Sequence, residues 1–384
     1  MGQTIHCGNM RKYIIIVTDR QIYPARSGNK MRILGLIRAL RLLGWSVALV
    51  IPAACYHRKL HQETDRLFLV AAPSFASGDV LRYNFRPLSR AVRIAAKTLK
   101  PSAIIAEYAW LAPAARNVPP GVLRLVDCHD VLHERTDRFD SINADSWVRC
   151  TAMQERTLLN HADVVLAIQS RDADVIRRLL PSKRTYCLLP YVELPDGFRL
   201  SHSETFNVLA VGASHAGNQG ILDFAVKVWP RILIHVAQAR FKVVGTIGRG
   251  MPALPGVEWL GEVADLSTHY RDSAVVVCPI TVGTGVKIKM LEALRFGKAV
   301  VATPAAEEGL PFAQDRAWVA AGSLDDFADP VALLLTASGA RVKLERRAFR
   351  YGEEHLSRRR FLANLRRILP DSCLRRVRRP AQVK

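Results

Sequence analysis

Apolar and polar positions follow two periods along this chain, and the pair of periods runs through the same order twice. Tyr13 to Thr18 is a continuous apolar run, the mark of a strand buried on both faces of a parallel sheet. A turn-rich loop, Tyr23-Pro24-Ala25-Arg26-Ser27-Gly28-Asn29, follows it. Ile33, Leu36, Ile37, Leu40 and Leu43 then recur at helical spacing, with Lys30, Arg38 and Arg41 off that stripe. Gly44 ends this helix, and Ser46 to Ile51 reads as the next strand. The second half opens at Phe206 with a strand over Asn207 to Val211 and the loop Gly212-Ala213-Ser214-His215-Ala216-Gly217-Asn218. A helix is expected from about Gln219 to Ala239, then a strand from Phe241 to Val244.

Each half is thus a strand, loop, helix, strand unit, which implies right-handed parallel crossovers. The stretch from Leu188 to Thr205 has two prolines and no long apolar period, and reads as a linker. The expected fold is α/β: two Rossmann-like doubly wound domains facing each other across a cleft. The expected division is 1–190, a linker 191–205, a second domain 206–340, and a basic helix and tail 341–384. Ligands of such sheets bind beyond the carboxyl ends of the strands. The polar residues to examine are therefore those that follow strands.

Leu123 to Val126 reads as a strand that runs into Asp127-Cys128-His129-Asp130. The helix Gln154 to Asp163 and the strand Val164 to Ile168 come next, with Ser170 expected to cap a helix from about Asp172. Val275 to Cys278 is strand-like and is stopped by Pro279. Gly283-Thr284-Gly285 is a loop that can bring its backbone close to a ligand. A helix from about Val286 to Phe296 follows, capped by Gly297, then a strand Ala299 to Ala302. A helix start after a glycine loop offers unpaired N–H groups and a positive dipole end, which together favour an anion. Lys287 and Lys289 add cations there. Glu292 can pair with Lys289 or accept hydrogen bonds from ligand hydroxyls. Loop, cations and carboxylate together suit a phosphate carrying a polyhydroxyl group, which is a nucleotide sugar.

Composition narrows the classes. The chain has 384 residues, 49% of them hydrophobic, enough for two cores and too apolar for a disordered polymer. Seven scattered cysteines form no Cys-x-x-Cys pair, so reduced thiols in a cytosolic compartment are expected, and metal-ligand spacing is absent. The longest apolar run, Val47 to Cys55, falls short of the roughly 18–20 residues of a membrane span. No apolar core of a secretory signal precedes Tyr13, and Met10 offers a second start position.

Charge adds a further expectation. The net charge is +21, and residues 341–384 hold 15 basic and 4 acidic residues, so +11 of it lies there. Leu344 to Leu369 is expected to be largely helical, with Phe361, Leu362, Leu365, Ile368 and Leu369 as an apolar stripe, and Arg375-Arg376-Val377-Arg378-Arg379 beyond it. Such a segment suits an anionic membrane surface. Nucleic acid is the rival, but aromatics are 7% of the chain and none interleave the basic run.

Pro279 through Leu310, including Glu307-Glu308-Gly309-Leu310 after Thr303-Pro304, resembles the signature of family-4 glycosyltransferases of GT-B fold. The similarity extends over nearly the whole chain. Pro24 to Leu43 resembles the family's first loop and helix. Cys128-His129-Asp130 resembles its mid-domain histidine turn. Val208 to Asn218 resembles the opening of its nucleotide domain. The nearest branch is that of bacterial exopolysaccharide-associated sugar transferases.

The resemblance implies a last helix that crosses back to the first domain, a nucleotide-diphosphate sugar held by the C-terminal domain and a glycan or lipid-linked acceptor held by the N-terminal one. It implies retention at the anomeric carbon with no cofactor and no metal. It also implies a cytoplasmic enzyme of polysaccharide synthesis, peripheral on the inner face of the membrane. By carry-over, Glu292 holds the donor ribose, His129 sits near the transferred sugar, and the Gly28 loop faces the leaving diphosphate. Gly283, Thr284, Gly285 and Val286 wrap the donor, with Gly212, His215 and Asn218 in the opposing loop.

Two positions depart from the family. Thr284 stands where a second glutamate is common, and no Arg or Lys follows the strand Val208 to Val211. Lys287, Lys289 and the helix dipole are expected to stabilise the leaving group instead. A catalytically degenerate scaffold of a polysaccharide assembly is the competing expectation.

Overall fold

The computed structural model describes residues 12–25, 27–72, 74–75, 80–141, 148–282, 285–311 and 316–369. The first sheet is built from β1 (Tyr13–Val17), β2 (Ser46–Pro52), β3 (Arg66–Val70), β4 (Ala103–Glu107), β5 (Leu123–Cys128), β6 (Val164–Ala167) and β7 (Arg184–Cys187). Its order is β3-β2-β1-β4-β5-β6-β7, with every neighbouring pair parallel. The second is built from β8 (Asn207–Val211), β9 (Arg240–Val244), β10 (Val257–Gly261), β11 (Val275–Cys278), β12 (Ala299–Ala302) and β13 (Val319–Ala320). Its order, β10-β9-β8-β11-β12-β13, repeats the first domain's plan. In each sheet the chain reverses its direction of travel beside the first strand, which opens a crevice at that strand's carboxyl end.

The central strands are buried because helices cover both sheet faces. Ile14, Ile15 and Ile16 are wholly buried, with alternate side chains in opposite layers. Each such side chain contributes about 1.5–3 kcal/mol. On one face of the first sheet lie helices Arg86–Leu99, Ala152–Leu159 and Ser170–Leu179; on the other lies Gly28–Leu42. The second sheet packs Phe224, Trp229 and Leu334 on one side and Tyr270, Leu291 and Tyr351 on the other.

Several element boundaries differ from the sequence reading, among them the helix expected over Gln154 to Asp163, which is Ala152–Leu159. The helix from Gln219 stops at His235, with one π turn at Phe224–Val228, where Pro230 follows and lacks an N–H for the α ladder. The helix after the glycine loop begins at Ile288 with Lys287 as its N-cap, so Val286 lies in the loop. Ser170 is inside its helix rather than capping it. Gln169 is the N-cap, and its side chain donates to Asp172 at 2.6 Å. The stretch Leu344 to Leu369, expected to be largely helical, lies in two helices, Ser338–His355 and Arg358–Ile368.

That last break has a structural consequence. The Ser338–His355 helix packs its Ala348 and Tyr351 into the second domain. The chain turns at Leu356 and Ser357, and Ser357 Oγ accepts from the Arg360 N–H at 3.3 Å. The final helix then buries Phe361, Leu365, Ile368 and Leu369 in the first domain's core. The C-terminal segment crosses back between domains, and its apolar stripe is used there. Arg375 to Arg379 lie outside the described residues. No described helix is long and apolar enough to cross a membrane.

Candidate active site

The two halves of the site meet where β5 ends. Asp127, the penultimate residue of β5, is buried against Arg32 of the first helix, which donates to it from Nε and Nη2 at 2.8 and 2.5 Å and from Nη1 to the Leu188 carbonyl at 2.8 Å. His129 is also buried, with Nε2 2.8 Å from Glu107 at the end of β4 and its ring stacked on Tyr108, centroids 4.1 Å apart. Burial pushes the His129 pKa down to about 4, so its imidazole is neutral at neutral pH. Burial, then the nearby Asp127, raises Glu107 well above the carboxylate range. Glu107, Asp127 and His129 bring one ligand atom each within 4.8 Å, a spacing that can hold a metal. Both Asp127 oxygens are already taken by Arg32, however, so a cation would face a buried guanidinium. The cluster reads as a fixed support for the His129 turn. Glu155 braces the far side of that turn by accepting from the Leu132 and His133 N–H groups at 2.9 and 3.1 Å.

The second domain's loop rests directly on this turn. Gly285 has φ +68°, and a Cβ there would lie 2.8 Å from Asp130 Oδ1 and 3.2 Å from the His129 carbonyl. Only glycine fits both the backbone angle and the space. Lys287 turns back and donates to the Gly285 carbonyl at 2.6 Å, which braces the loop. Gly28 begins the first domain's helix, and a Cβ there would meet Ile288 Cγ1 at 2.7 Å. The helix N-terminus of one domain therefore faces the helix N-terminus of the other across a gap that admits no side chain at position 28.

Two connected spaces flank this contact. A cavity of about 550 Å³ is lined by Arg20, Gly28, Asn29, Tyr108, His129, Asp130, Arg135, His215, Gly285 and Val286. A cleft of about 770 Å³ continues along Gly212, His215, Tyr270, Lys289 and Glu292. Most residues expected at the site are thus gathered along one trough at the carboxyl ends of both sheets. Lys287 lies beside the trough, and Asn218 lies beneath it. Gly283 and Thr284 lie outside the described residues.

Glu292 does not pair with Lys289. Its Oε2 accepts from the Tyr270 hydroxyl at 2.9 Å, and burial lifts its pKa to about 7. Lys289 instead donates to Asn218 Oδ1 at 2.8 Å, and burial lowers its pKa to about 8. Asn218 also donates to the Ala213 carbonyl at 2.7 Å, so one buried amide ties the 212–218 loop to the lysine. His215 accepts from the Gly217 N–H at 3.1 Å, and burial, Lys289 and Arg135 all lower its pKa. The trough can present neutral imidazoles, backbone N–H groups and one desolvated ammonium to an anion, and one buried carboxylate to hydroxyls.

Sequence reading missed Arg20, Tyr270 and Glu107. Arg20 lies 5.3 Å from the Tyr108 ring centroid and 5.2 Å from that of Trp110, with Nε 3.1 Å from Asp19. None of the three belongs to a local motif. A signal for Arg20 was available in the polar pair Asp19-Arg20 that follows the first strand.

Comparisons with known proteins bear on the family and the fold. Residues 27–191 match the family described as glycosyl transferase 4-like domain, and residues 205–337 match glycosyl transferases group 1. No curated protein matches by sequence. Among solved structures, TarM matches with TM-score 0.70 at 10% identity, over 94% of this chain and 99% of that one. TarM is from S. aureus. Sucrose-phosphate synthase from Thermosynechococcus elongatus matches with TM-score 0.67 at 12% identity, over 93% and 98%. HepE from Anabaena, solved with UDP and glucose, matches with TM-score 0.64 at 13% identity, over 94% and 99%.

Proposed function

We propose, because this chain belongs to the group 1 glycosyltransferases of GT-B fold, that it moves a sugar from a nucleotide-diphosphate donor to a glycan or lipid-linked acceptor in cell-surface polysaccharide synthesis. The observation that carries this reading is the trough itself. Its two spaces, which share Gly28, His215 and Ile288 in their walls, hold a buried carboxylate, Glu292, and a desolvated lysine at one end and the neutral His129 at the other.

Each feature suits one part of such a donor. Glu292, steadied by Tyr270, accepts hydrogen bonds from ribose hydroxyls. The diphosphate lies where the Gly28 helix start and the Gly285 loop offer N–H groups, with Lys289 and Arg20 as the cations. The sugar reaches toward His129. The acceptor hydroxyl attacks the anomeric carbon; the bond from that carbon to the phosphate oxygen breaks and its electron pair leaves with the diphosphate. The acceptor's proton passes to that phosphate oxygen, on the same face of the sugar, which retains the anomeric configuration. Stabilising the departing charge with fixed donors is worth on the order of 3 kcal/mol per donor, and this stabilisation needs no metal. UDP accompanies glucose in the HepE structure and GlcNAc in that of the pneumococcal O-GlcNAc transferase GtfA, which supports UDP as the first base to test.

The test is a thermal-shift screen of the full chain against UDP-, GDP-, ADP-, CDP- and dTDP-sugars without added metal. A donor at about 100 times its dissociation constant adds roughly 2.7 kcal/mol of stability. A shift with one nucleotide class is expected in the native protein and not in Glu292→Ala. If no donor shifts a folded protein, with or without an acceptor lipid, the degenerate-scaffold reading replaces this one.

A further inference from the structure

A cluster of unpaired charge on the described surface lies away from the trough. From Val80 to Ala106 the sequence has six Lys and Arg and no Asp or Glu. The helix Arg86–Leu99 sorts them cleanly. Leu88, Ala91, Val92, Ala95 and Ala96 face the first domain's core, while Arg86, Arg90, Arg93 and Lys97 are exposed. None of these four forms an ion pair among the described residues. Unpaired cations clustered on one ordered face raise the local positive potential, which attracts anions.

Aliphatic side chains stand among the cations. Ile94 is 50% exposed, and Leu69 on the open edge strand β3 is 49% exposed. A groove of about 710 Å³ runs between that strand and the helix, from Phe68 to Ile94. Cations interleaved with exposed aliphatic groups suit the boundary between lipid headgroups and acyl chains. Long arginine and lysine stems can lie along such a boundary with their charges at the headgroups. A nucleic acid would want exposed aromatic platforms, and the exposed apolar groups here are aliphatic. A second copy of this chain would bring like charges together.

The C-terminal helix is a poorer candidate for the same role. Arg359, Arg360, Arg366 and Arg367 are exposed on it, but its apolar stripe is buried in the first domain. It also packs on the opposite face of the first sheet from Arg86–Leu99, so one flat surface cannot cover both. The Arg86 end leads toward the trough. Tyr83, just before this helix, donates to Asp19 Oδ2 at 2.8 Å, and Asp19 holds Arg20 in the cavity wall.

We propose that the helix Arg86–Leu99 and the edge strand Arg66–Val70 form a docking surface for an anionic lipid bilayer. The proposal extends the reading of a lipid-linked acceptor, since the docked face adjoins the first-domain wall of the trough. Its test does not depend on that reading. The full chain is sedimented with phosphatidylcholine vesicles with and without phosphatidylglycerol. Binding is expected only with phosphatidylglycerol and should weaken as salt rises. The set Arg86→Gln, Arg90→Gln, Arg93→Gln and Lys97→Gln should lower the partition coefficient by roughly fivefold per charge removed. Ile94→Ser should weaken it further. The matched set Arg359→Gln, Arg360→Gln, Arg366→Gln and Arg367→Gln on the opposite face should leave most binding in place. Equal unfolding temperatures and equal donor shifts confirm that both sets fold, and those donor shifts report on the transferase reading separately. The proposal is overturned if the native chain ignores anionic vesicles, if the helix set binds like the native chain, if the C-terminal set loses as much, or if the helix face takes up single-stranded DNA in place of vesicles.

Discussion

Glu292 shows how a side chain at the site trades stability against readiness. Its carboxyl is buried, and its pKa of about 7 lies above the ordinary 4.5. Between those two pH values the folded chain keeps a proton that the unfolded chain releases. Stability from this group is therefore fully present below pH 4.5 and is lost as pH rises through about 7. Glu292→Gln removes that dependence. Denaturant titrations of both proteins should show the variant gaining on the native chain by about 3 kcal/mol over that span; parallel curves would mean that the carboxylate is ionised and satisfied throughout. The residue itself was legible in the sequence because its place after a glycine loop and two lysines carries chemistry at short range. Its partner was not, since Tyr270 lies 22 positions away and looks like any core tyrosine until β11 and the Ile288 helix bring it across. Lys289 was legible as a cation but not as a buried one held by Asn218, because desolvation is a property of the folded surroundings.

Among the elements, the parallel strands were the most readable part of the chain. Burial on both faces demands apolar runs such as Tyr13–Val17 and Val275–Cys278, and their short length with bounding turn residues separates them from buried helices. The helix ends were less so. The break at Leu356 is set by where the second domain stops and the first resumes, a tertiary fact, and the local apolar period continues through it. The glycine loop joins element to function. Gly285→Ala must hold an alanine at φ +68° with its Cβ 2.8 Å from Asp130 Oδ1. The left-handed angle alone costs roughly 1–2 kcal/mol. The loop is expected to move off the His129 turn, taking Lys287 with it. Calorimetry should show a modest fall in unfolding temperature and a much larger loss of donor-induced shift. A variant that keeps the full donor shift would show that this loop does not touch the donor.

At the scale of the whole molecule, the trough exists only while the two domains keep their present distance, and a small set of contacts sets it. Arg138 on the first-domain helix Leu132–Asp140 donates to both oxygens of Glu308 in the second domain, at 2.8 and 2.7 Å. Arg171 reaches Glu308 at 3.0 Å and Glu134 at 2.7 Å. These side chains are about a fifth to two-fifths exposed, so solvent screens them. The bidentate geometry and the four-member network still lift the Arg138–Glu308 pair to about 1 kcal/mol, at the upper end for exposed pairs. Such an energy is too small to hold either domain's fold and large enough to bias their spacing. Glu308→Ala should therefore leave the unfolding temperature nearly unchanged while increasing the radius of gyration measured by X-ray scattering, and it should weaken donor-induced protection. Arg138→Ala should do the same, and the double variant should add little to either. Losses that simply add would mean that the two residues act separately rather than as one pair, and an unchanged radius of gyration in both variants would mean that the crossing C-terminal helix and the Gly28–Ile288 and Gly285–Asp130 contacts set the distance between the domains.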